Sequence, residues 1–378
     1  MRLLLFFLPG QPLYCADHAD GQGAGAHHAR AAGGAAVSGR RRPAGSGRAC
    51  WDIRSEPTVS LIDKPLIVTS SPHLRCGMST RGVMLDVLIA LVPAAVASVL
   101  LFGWRALAVE LVCVASCMAS EVVSRWVMKR PQTVGDLSCI VTGMLLAFNL
   151  PATMPLWQAA LGGVAAIVVA KQMFGGLGQN FVNPALAGRI VLMASFPESM
   201  NSWVVPFSGT GADAVTAATP LAEGAAPYSL SELFFGIHGG CLGETCALAL
   251  LLGGVYLVLR RVITPAVPLL YIGTVFVLSW LLGQDPLRQI LSGGLMLGAI
   301  FMATDYTTSP INKAGRAVYA VGCGLLTVLI RQFGSLPEGV SFAIVIMNIL
   351  VPLIERATRP LPFGRRRREK KAAKDAAK

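Results

Sequence analysis

The sequence is poor in charged residues. Asp, Glu, Lys and Arg together make up 14% of the 378 residues, whereas soluble domains carry about 25%. Hydrophobic residues reach 54%, and the mean hydropathy is +0.60. Several windows of roughly 18 or more residues are almost free of charge, which excludes an ordinary soluble domain and predicts a polytopic α-helical membrane protein.

Motifs for common cofactors and nucleotides are missing as well. The nine cysteines include no CxxC pair, and Cys113 and Cys117 lie in an apolar stretch without further ligands. We therefore expect buried thiols and no metal or iron–sulfur site. The Gly-rich stretch GGLGQNFVNP is followed by no GK[ST] and preceded by no predicted strand. This excludes a P-loop and a Rossmann turn, and no catalytic residue is predicted in this chain.

Basic residues concentrate at the C-terminal end of a chain whose net charge is +12. Residues 356–378 hold ten Lys or Arg against two acidic residues. A basic block directly after the last apolar run is typical of a cytoplasmic anchor and not of a nucleic-acid site. With this tail inside, alternate loops carry most other basic residues, Lys171 and Arg189 among them, while residues 198–240 hold none. We therefore predict cytoplasmic termini and a periplasmic 198–240 loop.

Apolar runs predict about ten membrane spans. They lie near 84–104, 106–127, 137–151, 156–174, 184–197, 241–259, 263–283, 290–304, 316–333 and 339–355. Three of them, 137–151, 184–197 and 290–304, are short for a crossing of about 20 residues. Broken or half helices are therefore expected there.

The third span of each half is similar in sequence. LSCIVTGMLLAFNLPATMP at Leu137–Pro155 resembles LSGGLMLGAIFMATDYTTSP at Leu291–Pro310. Because five spans per half is an odd number, the second half is inverted relative to the first. We therefore predict an all-α polytopic membrane protein of two inverted five-helix repeats with short or broken helices, as in transporter-like folds. Chance similarity between apolar segments is the alternative.

These features divide the chain into five parts. They are a leader at 1–62, a first membrane half at 63–197, a periplasmic loop at 198–240, a second membrane half at 241–355 and a basic cytoplasmic tail at 356–378. The leader is rich in Ala, Gly, Arg and His without an apolar period, and we interpret it as disordered. Our hypothesis is that translation starts near Asp63 or Lys64.

Seven acidic residues lie in or beside apolar runs, where an unpaired charge costs several kcal/mol. They are Asp86, Glu110, Glu121, Asp136, Glu244, Asp305 and Glu355. Inversion of the repeats would bring Asp136 and Asp305 to the same, cytoplasmic side. One interpretation is a cation path, for which Asp136, Glu244 and Asp305 are candidates. The other is helix caps and interfacial carboxylates that water reaches.

The Gly-rich stretch is a second candidate site. Its glycines between 175 and 178 allow backbone to approach a planar ligand or an ion closely. Asn180 and Asn183 supply amide donors and acceptors there, and Pro184 fits the first turn of the next helix. A tight connection between helices is the alternative to a cofactor or substrate contact.

The stretch DAVTAATPLA is a polar break within the 198–240 loop. Asp213, Thr216 and Thr219 are spaced by three and are followed by Pro220, which predicts an Asp-capped turn. A hydroxyl so placed can also be esterified. A nearby carboxylate suits recognition by a modifying enzyme that uses a divalent metal.

Several motifs, in order, resemble one family. KPLIVTSSPH, GDLSCIVTGMLLAFNLP, DAVTAATPLA and MATDYTTSP are similar to the D subunit of the Rnf electron-transport complex. The core is also similar to the related B subunit of the sodium-pumping NADH:quinone reductase. In that family, a loop of pattern D-x-x-[ST]-G-A-[ST] receives FMN through its phosphate from a flavin transferase of the ApbE type. The resemblance implies that Thr219 is the acceptor, with Asp213, Thr216 and Ala218 matching the pattern and Ala217 replacing the usual Gly.

The resemblance covers roughly residues 64–355 and implies a function. It implies a flavin-carrying subunit, inactive alone, that passes electrons between ferredoxin- and NAD-linked partners in an ion-translocating complex of the bacterial inner membrane. The ion is sodium or a proton, and a second, noncovalent flavin such as riboflavin is an option near residues 175–183. The alternatives are a cofactor-free ion channel or transporter and a structural scaffold with a degenerate flavin site.

Overall fold

A computed structural model describes residues 79–207, 228–334 and 339–360, and the elements within these ranges are helical. The first half contains α1 (Thr80–Phe102), α2 (Trp104–Val127), a 3₁₀ turn (Val134–Asp136), α3 (Ser138–Phe148), α4 (Leu156–Val164) continued by the π-helix π1 (Ala165–Gln172), and α5 (Pro184–Ser195). Two short helices lie in the predicted periplasmic loop at 198–240: α6 (Pro197–Met200) at its start and α7 (Leu230–Phe235) near its end. The predicted leader at 1–62 lies outside the described residues.

The second half begins with α8. It contains α8 (Ala247–Leu259), α9 (Ala266–Leu281), α10 (Pro286–Leu291), α11 (Leu295–Leu297) continued by the π-helix π2 (Gly298–Met302), α12 (Lys313–Phe333) and α13 (Val340–Thr358). The predicted span near 290–304 is therefore broken, as expected, between α10 and the continuous segment of α11 and π2. The predicted span near 241–259 becomes helical only at Ala247, because the chain before it forms a buried loop.

Four helices, α1, α2, α12 and α13, are long and apolar enough to cross a bilayer. Five shorter apolar helices of 10–17 residues accompany them, including the predicted short spans at α3 and α5. Large apolar side chains such as Leu100 and Leu259 are 70% and 76% exposed, as expected of a surface that faces lipid. The predicted polytopic α-helical membrane fold is thereby confirmed.

Corresponding helices of the two halves run antiparallel. Asp86, near the start of α1, accepts hydrogen bonds from Arg260, directly after the end of α8, at 3.2 and 3.3 Å. The start of α3 and the chain just after π2 line one common cavity, so these third segments also run in opposite directions. α5 packs against α13, the last membrane helix of the other half. This is the arrangement that an inverted repeat requires.

The two halves approach closely where α1 crosses α8. A Cβ atom at Gly253 would lie 2.1 Å from the carbonyl oxygen of Ala90, so only glycine fits there. Small residues at such crossings allow helix backbones to pack closely within a membrane. The crossing fixes the first helices of both halves and thereby the cavity between them.

Candidate functional site

The predicted flavin-attachment residues, Asp213, Thr216, Ala218 and Thr219, lie outside the described residues. The chain on either side of them is described. The backbone N–H of Phe207 donates to the carbonyl oxygen of Leu101 at 3.0 Å, at the C-terminal end of α1. The returning chain forms α7 with a Ser229/Glu232 capping box.

A cavity of about 90 Å³ lies at the other end of α1. The structure brings three predicted site residues, Asn180, Asn183 and Asp305, together in its wall. Ser138 and Lys171 contribute further polar atoms, while Val83, Met84, Leu257 and Phe301 are among its apolar lining residues. A cavity of this volume accommodates several ordered waters, whereas drug-sized ligands occupy roughly 300–1,000 Å³. A flavin could therefore insert only part of its ring system without movement of the lining.

The polar groups of the cavity wall are held by local hydrogen bonds. Asn180 donates to the carbonyl oxygen of Val182 at 3.1 Å. Asn183 caps α5, because its side-chain oxygen accepts from the N–H of Ala185 at 3.0 Å. Asp305 accepts from the N–H and hydroxyl of Thr307, at 3.3 and 3.1 Å, and from a second threonine hydroxyl at 3.2 Å. Asn180 and Asn183 thus form the tight connection between helices that the sequence predicts as one alternative, and they also line the cavity.

The first of two buried ion pairs lies beside this cavity. The ammonium of Lys171 is 2.6 Å from Glu121, and the two side chains are 3% and 0% exposed. Lys171 also donates to the Ser138 hydroxyl at 2.8 Å, and the second oxygen of Glu121 accepts from Thr133 at 2.6 Å. Both carboxylate oxygens are therefore hydrogen-bonded. We call the ion pair of Lys171 and Glu121, together with its hydrogen-bond partners Ser138 and Thr133, the inner pair.

The second ion pair lies deeper and joins the two halves. Arg189 on α5 is 2.9 Å from Glu244 in the loop before α8, with side chains 2% and 1% exposed. Arg189 also donates to Asn149 at 2.6 Å and to the Cys241 sulfur at 3.7 Å. Oε2 of Glu244 has no hydrogen-bond partner among the described residues. We call the ion pair of Arg189 and Glu244 the central pair.

Two predictions about charged residues were wrong. Lys171 and Arg189 were assigned to cytoplasmic loops, yet both are 2% exposed within the helix bundle. Glu110, Glu121 and Glu244 were alternatively expected to be reached by water, yet they are 4%, 0% and 2% exposed. Pairing explains the burial of the last two carboxylates, and Glu110 accepts a 2.5 Å hydrogen bond from Ser98.

The remaining candidates are distributed unevenly. Asp136 lies in the 3₁₀ turn before α3, partly exposed and outside the cavity wall, so it is not brought together with Asp305. Within the described residues no group of three His, Cys, Asp or Glu could hold a metal ion, and Cys113 and Cys117 are buried.

Sequence reasoning missed the roles of Arg189 and Lys171. The available signal was a single basic residue inside an otherwise apolar run, as in ALAGRIVLM.

Comparisons with known proteins show which family the chain resembles. The model of the NQR2, RnfD, RnfE family matches residues 67–364. The D subunit of the Na(+)-translocating ferredoxin:NAD(+) oxidoreductase complex of Acetobacterium woodii is 48% identical over 308 residues, which cover 79% of this chain and 95% of that protein. The D subunit of the proton-translocating ferredoxin:NAD(+) oxidoreductase complex of Clostridium ljungdahlii is 40% identical over 320 residues, covering 79% and 96%. The D subunit of the ion-translocating oxidoreductase complex of Escherichia coli O127:H6 is 36% identical over 347 residues, covering 79% and 99%.

Proposed function

Because the chain belongs to the NQR2, RnfD, RnfE family, we propose that it carries electrons within an ion-translocating ferredoxin:NAD(+) oxidoreductase complex. The observation that carries this proposal is the 48% identity to the D subunit of such a complex over 95% of that protein's length. Its partners are the other subunits of the complex in a bacterial inner membrane. The protein does not oxidise a substrate alone, because no nicotinamide-binding or iron–sulfur motif occurs in the sequence.

The redox group in this proposal is FMN, esterified through its phosphate to Thr219 by a flavin transferase of the ApbE type. Support comes from the sequence, in which Asp213, Thr216, Ala218 and Thr219 match the attachment pattern. FMN supplies one- and two-electron chemistry when it is bound, whereas the protein supplies its position and electrostatic environment.

The membrane topology in this proposal places the attachment loop in the periplasm and both termini in the cytoplasm. The loop leaves the bundle beside Leu101, whereas the cavity is lined by Val83, Met84 and Val87 at the opposite end of α1. At 1.5 Å per residue, these ends are separated by about 25 Å along the helix axis, close to the thickness of the hydrocarbon core. The absence of Lys and Arg from residues 198–240 supports the periplasmic side for the loop.

The cavity is the proposed inner site, for part of a second, noncovalent flavin or for the transported cation. Asn180, Asn183 and Asp305 offer amide and carboxylate atoms that suit either a flavin ring edge or a hard cation. From Asn183, α5 leads to Arg189 in six residues, about 9 Å along the axis. The central pair thus lies further along α5 from the cavity, toward the loop.

The experiment that tests the covalent flavin is a denaturing gel. The protein is co-expressed with a flavin transferase of the ApbE type, and the gel is read for ultraviolet-excited fluorescence. We expect a fluorescent band that Thr219→Ala abolishes and that Thr210→Ala, a hydroxyl loss in the same loop, leaves unchanged. Ala217→Gly should raise the labelled fraction if position 217 requires a positive φ. A dark wild-type band would support the cofactor-free channel or the degenerate scaffold instead.

A further inference from the structure

Arg125 is a buried guanidinium without a counter-charge in the described part of the chain. It lies in the last turn of α2, is 7% exposed, and makes no side-chain hydrogen bond or ion pair there. Gln172 at the end of π1 is 1% exposed, and both polar atoms of its amide lack partners. Buried polar groups of native proteins are almost always hydrogen-bonded, so two neighbouring exceptions require an explanation.

Both side chains are directed at one glycine. A Cβ atom at Gly176 would lie 2.6 Å from Nη2 of Arg125 and 3.8 Å from Oε1 of Gln172. Gly176 has φ +105°, and Gly175 beside it has φ +121°. Arg130 donates to the carbonyl oxygen of Gly175 at 3.3 Å, which brings a second guanidinium to the same loop. A side chain at Gly176 would collide with the guanidinium of Arg125, so glycine at this buried position leaves room for it.

The inner pair does not neutralise Arg125. Glu121 lies one helical turn before Arg125, but its two oxygens accept from Lys171 and Thr133. The pair Lys171–Glu121 is neutral as a whole, so Arg125 leaves a net positive charge in this buried group. The partial negative charge at the end of α2 lies favourably near a basic residue, yet it provides no acceptor for the buried Nε.

The surroundings place this charge at the level of the lipid headgroups. Trp126 and Met173 are 75% and 72% exposed, and Lys129 and Arg130 follow α2 on the surface. Aromatic and basic residues at the end of a spanning helix mark the membrane–water interface. Exposed apolar side chains beside a basic site can contact the acyl chain of a lipid whose headgroup binds the charge. A carboxylate of a protein partner would bind the charge but would not need these apolar side chains.

We propose that Arg125, Gln172 and Gly176 form a binding site for the phosphate of an anionic phospholipid. Arg125 donates a charge-assisted, bidentate pair of hydrogen bonds to two phosphate oxygens, and the amide of Gln172 donates a third. Lys129 and Arg130 add positive potential at the entrance. The site lies outside the cavity and the central pair, and it is independent of the flavin proposal.

Lipid retention by the purified complex tests the site. The complex is reconstituted with phosphatidylcholine alone or with equal parts of phosphatidylcholine and phosphatidylglycerol, and retained lipid is measured by native mass spectrometry. We expect wild type to retain phosphatidylglycerol and Arg125→Gln to lose it at least about tenfold, the size expected for charge-assisted hydrogen bonds. Lys313→Gln removes the same charge from an exposed position at the start of α12, outside the site, and should retain the lipid. Equal losses for both variants would overturn the proposal.

Thermal stability provides a second test, in which Arg125→Met should have different effects with and without phosphatidylglycerol. If phosphatidylglycerol occupies the site, it should raise the melting temperature of wild type relative to phosphatidylcholine, and Arg125→Met should abolish the difference. In phosphatidylcholine alone, Arg125→Met should be at least as stable as wild type, because it removes an unpaired buried charge. Inorganic phosphate added in detergent distinguishes the sources: stabilisation equal to that by phosphatidylglycerol would overturn the lipid assignment. So would crosslinking of position 125 to a carboxylate of a partner subunit.

Discussion

The inner pair and the central pair are both buried ion pairs of one carboxylate and one base, yet they differ in completeness. In the inner pair, Glu121 has hydrogen bonds on both oxygens, and every partner belongs to the first half. In the central pair, Glu244 has one oxygen without a partner among the described residues. Its partner Arg189 belongs to the other half of the repeat.

This difference separates a structural ion pair from a functional candidate. A fully bonded buried pair costs much to desolvate, but it holds α2, α3 and π1 in one arrangement. A carboxylate whose second oxygen has no partner among the described residues, at the junction of two inverted halves, can take up a proton or a cation there while its other oxygen still accepts from Arg189. We therefore expect substitutions in the inner pair to affect stability and substitutions in the central pair to affect transport.

The largest expected effect is on stability, from Glu121→Gln. It leaves Lys171 buried without a counter-charge, which should destabilise the complex by about 3–5 kcal/mol. Thermal unfolding of the purified complex measures this loss. The double variant Glu121→Gln/Lys171→Met should recover most of it, because the double change removes both charges. Additive losses in the double variant would contradict the structural role.

Glu244→Gln should have a smaller effect on stability, about 1–3 kcal/mol, because Oε2 of Glu244 accepts from no donor among the described residues, so that an amide NH2 there displaces none. Its main effect should be on ion transport per electron transferred, measured in proteoliposomes, which we expect to fall about tenfold or more. Glu121→Gln is the matched control, with the same chemical change in the other pair. If both variants lose transport equally per folded complex, the comparison fails.

Gly294→Ala perturbs the central pair without removing a charge. A Cβ atom at Gly294 would lie 2.4 Å from Oε1 of Glu244, so the carboxylate must shift away from Arg189. The expected cost is about 1–2 kcal/mol, with a transport defect that resembles that of Glu244→Gln. Gly273→Ala is the control, because a Cβ there meets nothing within 4 Å. Normal transport in Gly294→Ala would show that the position of Glu244 is not critical.

The sequence predicted the architecture better than the placement of its charges. Hydropathy predicts α1, α2, α12 and α13, since spans of this length need nothing but apolar residues. The similarity between the third spans predicts the antiparallel halves. The short apolar run near 290–304 predicted a broken helix, but not where α10 ends and α11 begins, because the position of a backbone break depends on contacts with neighbouring helices.

The candidate site shows the same limit. Spacing placed Asn180 and Asn183 at a helix start, and Asn183 is the N-cap of α5. Inversion grouped Asp136 with Asp305, but only Asp305 lines the cavity. Arg189 and Lys171 were misassigned because charge counting treats every basic residue as a loop residue. Only tertiary pairing with Glu244 and Glu121, 55 and 50 residues away, explains their burial.

The smallest expected effect concerns His238, in the same loop as Glu244. His238 is 1% exposed, its Nδ1 has no partner among the described residues, and Tyr228 packs against its ring. Burial lowers its pKa from 6.5 to about 4, and the backbone of Glu232 opposes this shift. Between these values the unfolded chain binds a proton that the folded chain does not. Stability therefore falls as the pH drops below about 6.5, by about 1 kcal/mol at about pH 5.5.

His238→Phe should remove this contribution, because phenylalanine fills a similar volume and does not titrate. The difference in melting temperature between wild type and variant, followed from neutral pH to about pH 5, isolates it from the other titrating groups. The variant should gain relative to wild type as the pH falls. A constant difference would mean that His238 has the same pKa in the folded and unfolded chains, so that the loop holding Glu244 admits water. That result would remove the contrast with the inner pair. Water would then hydrogen-bond Oε2 of Glu244, so both carboxylates would have partners on both oxygens.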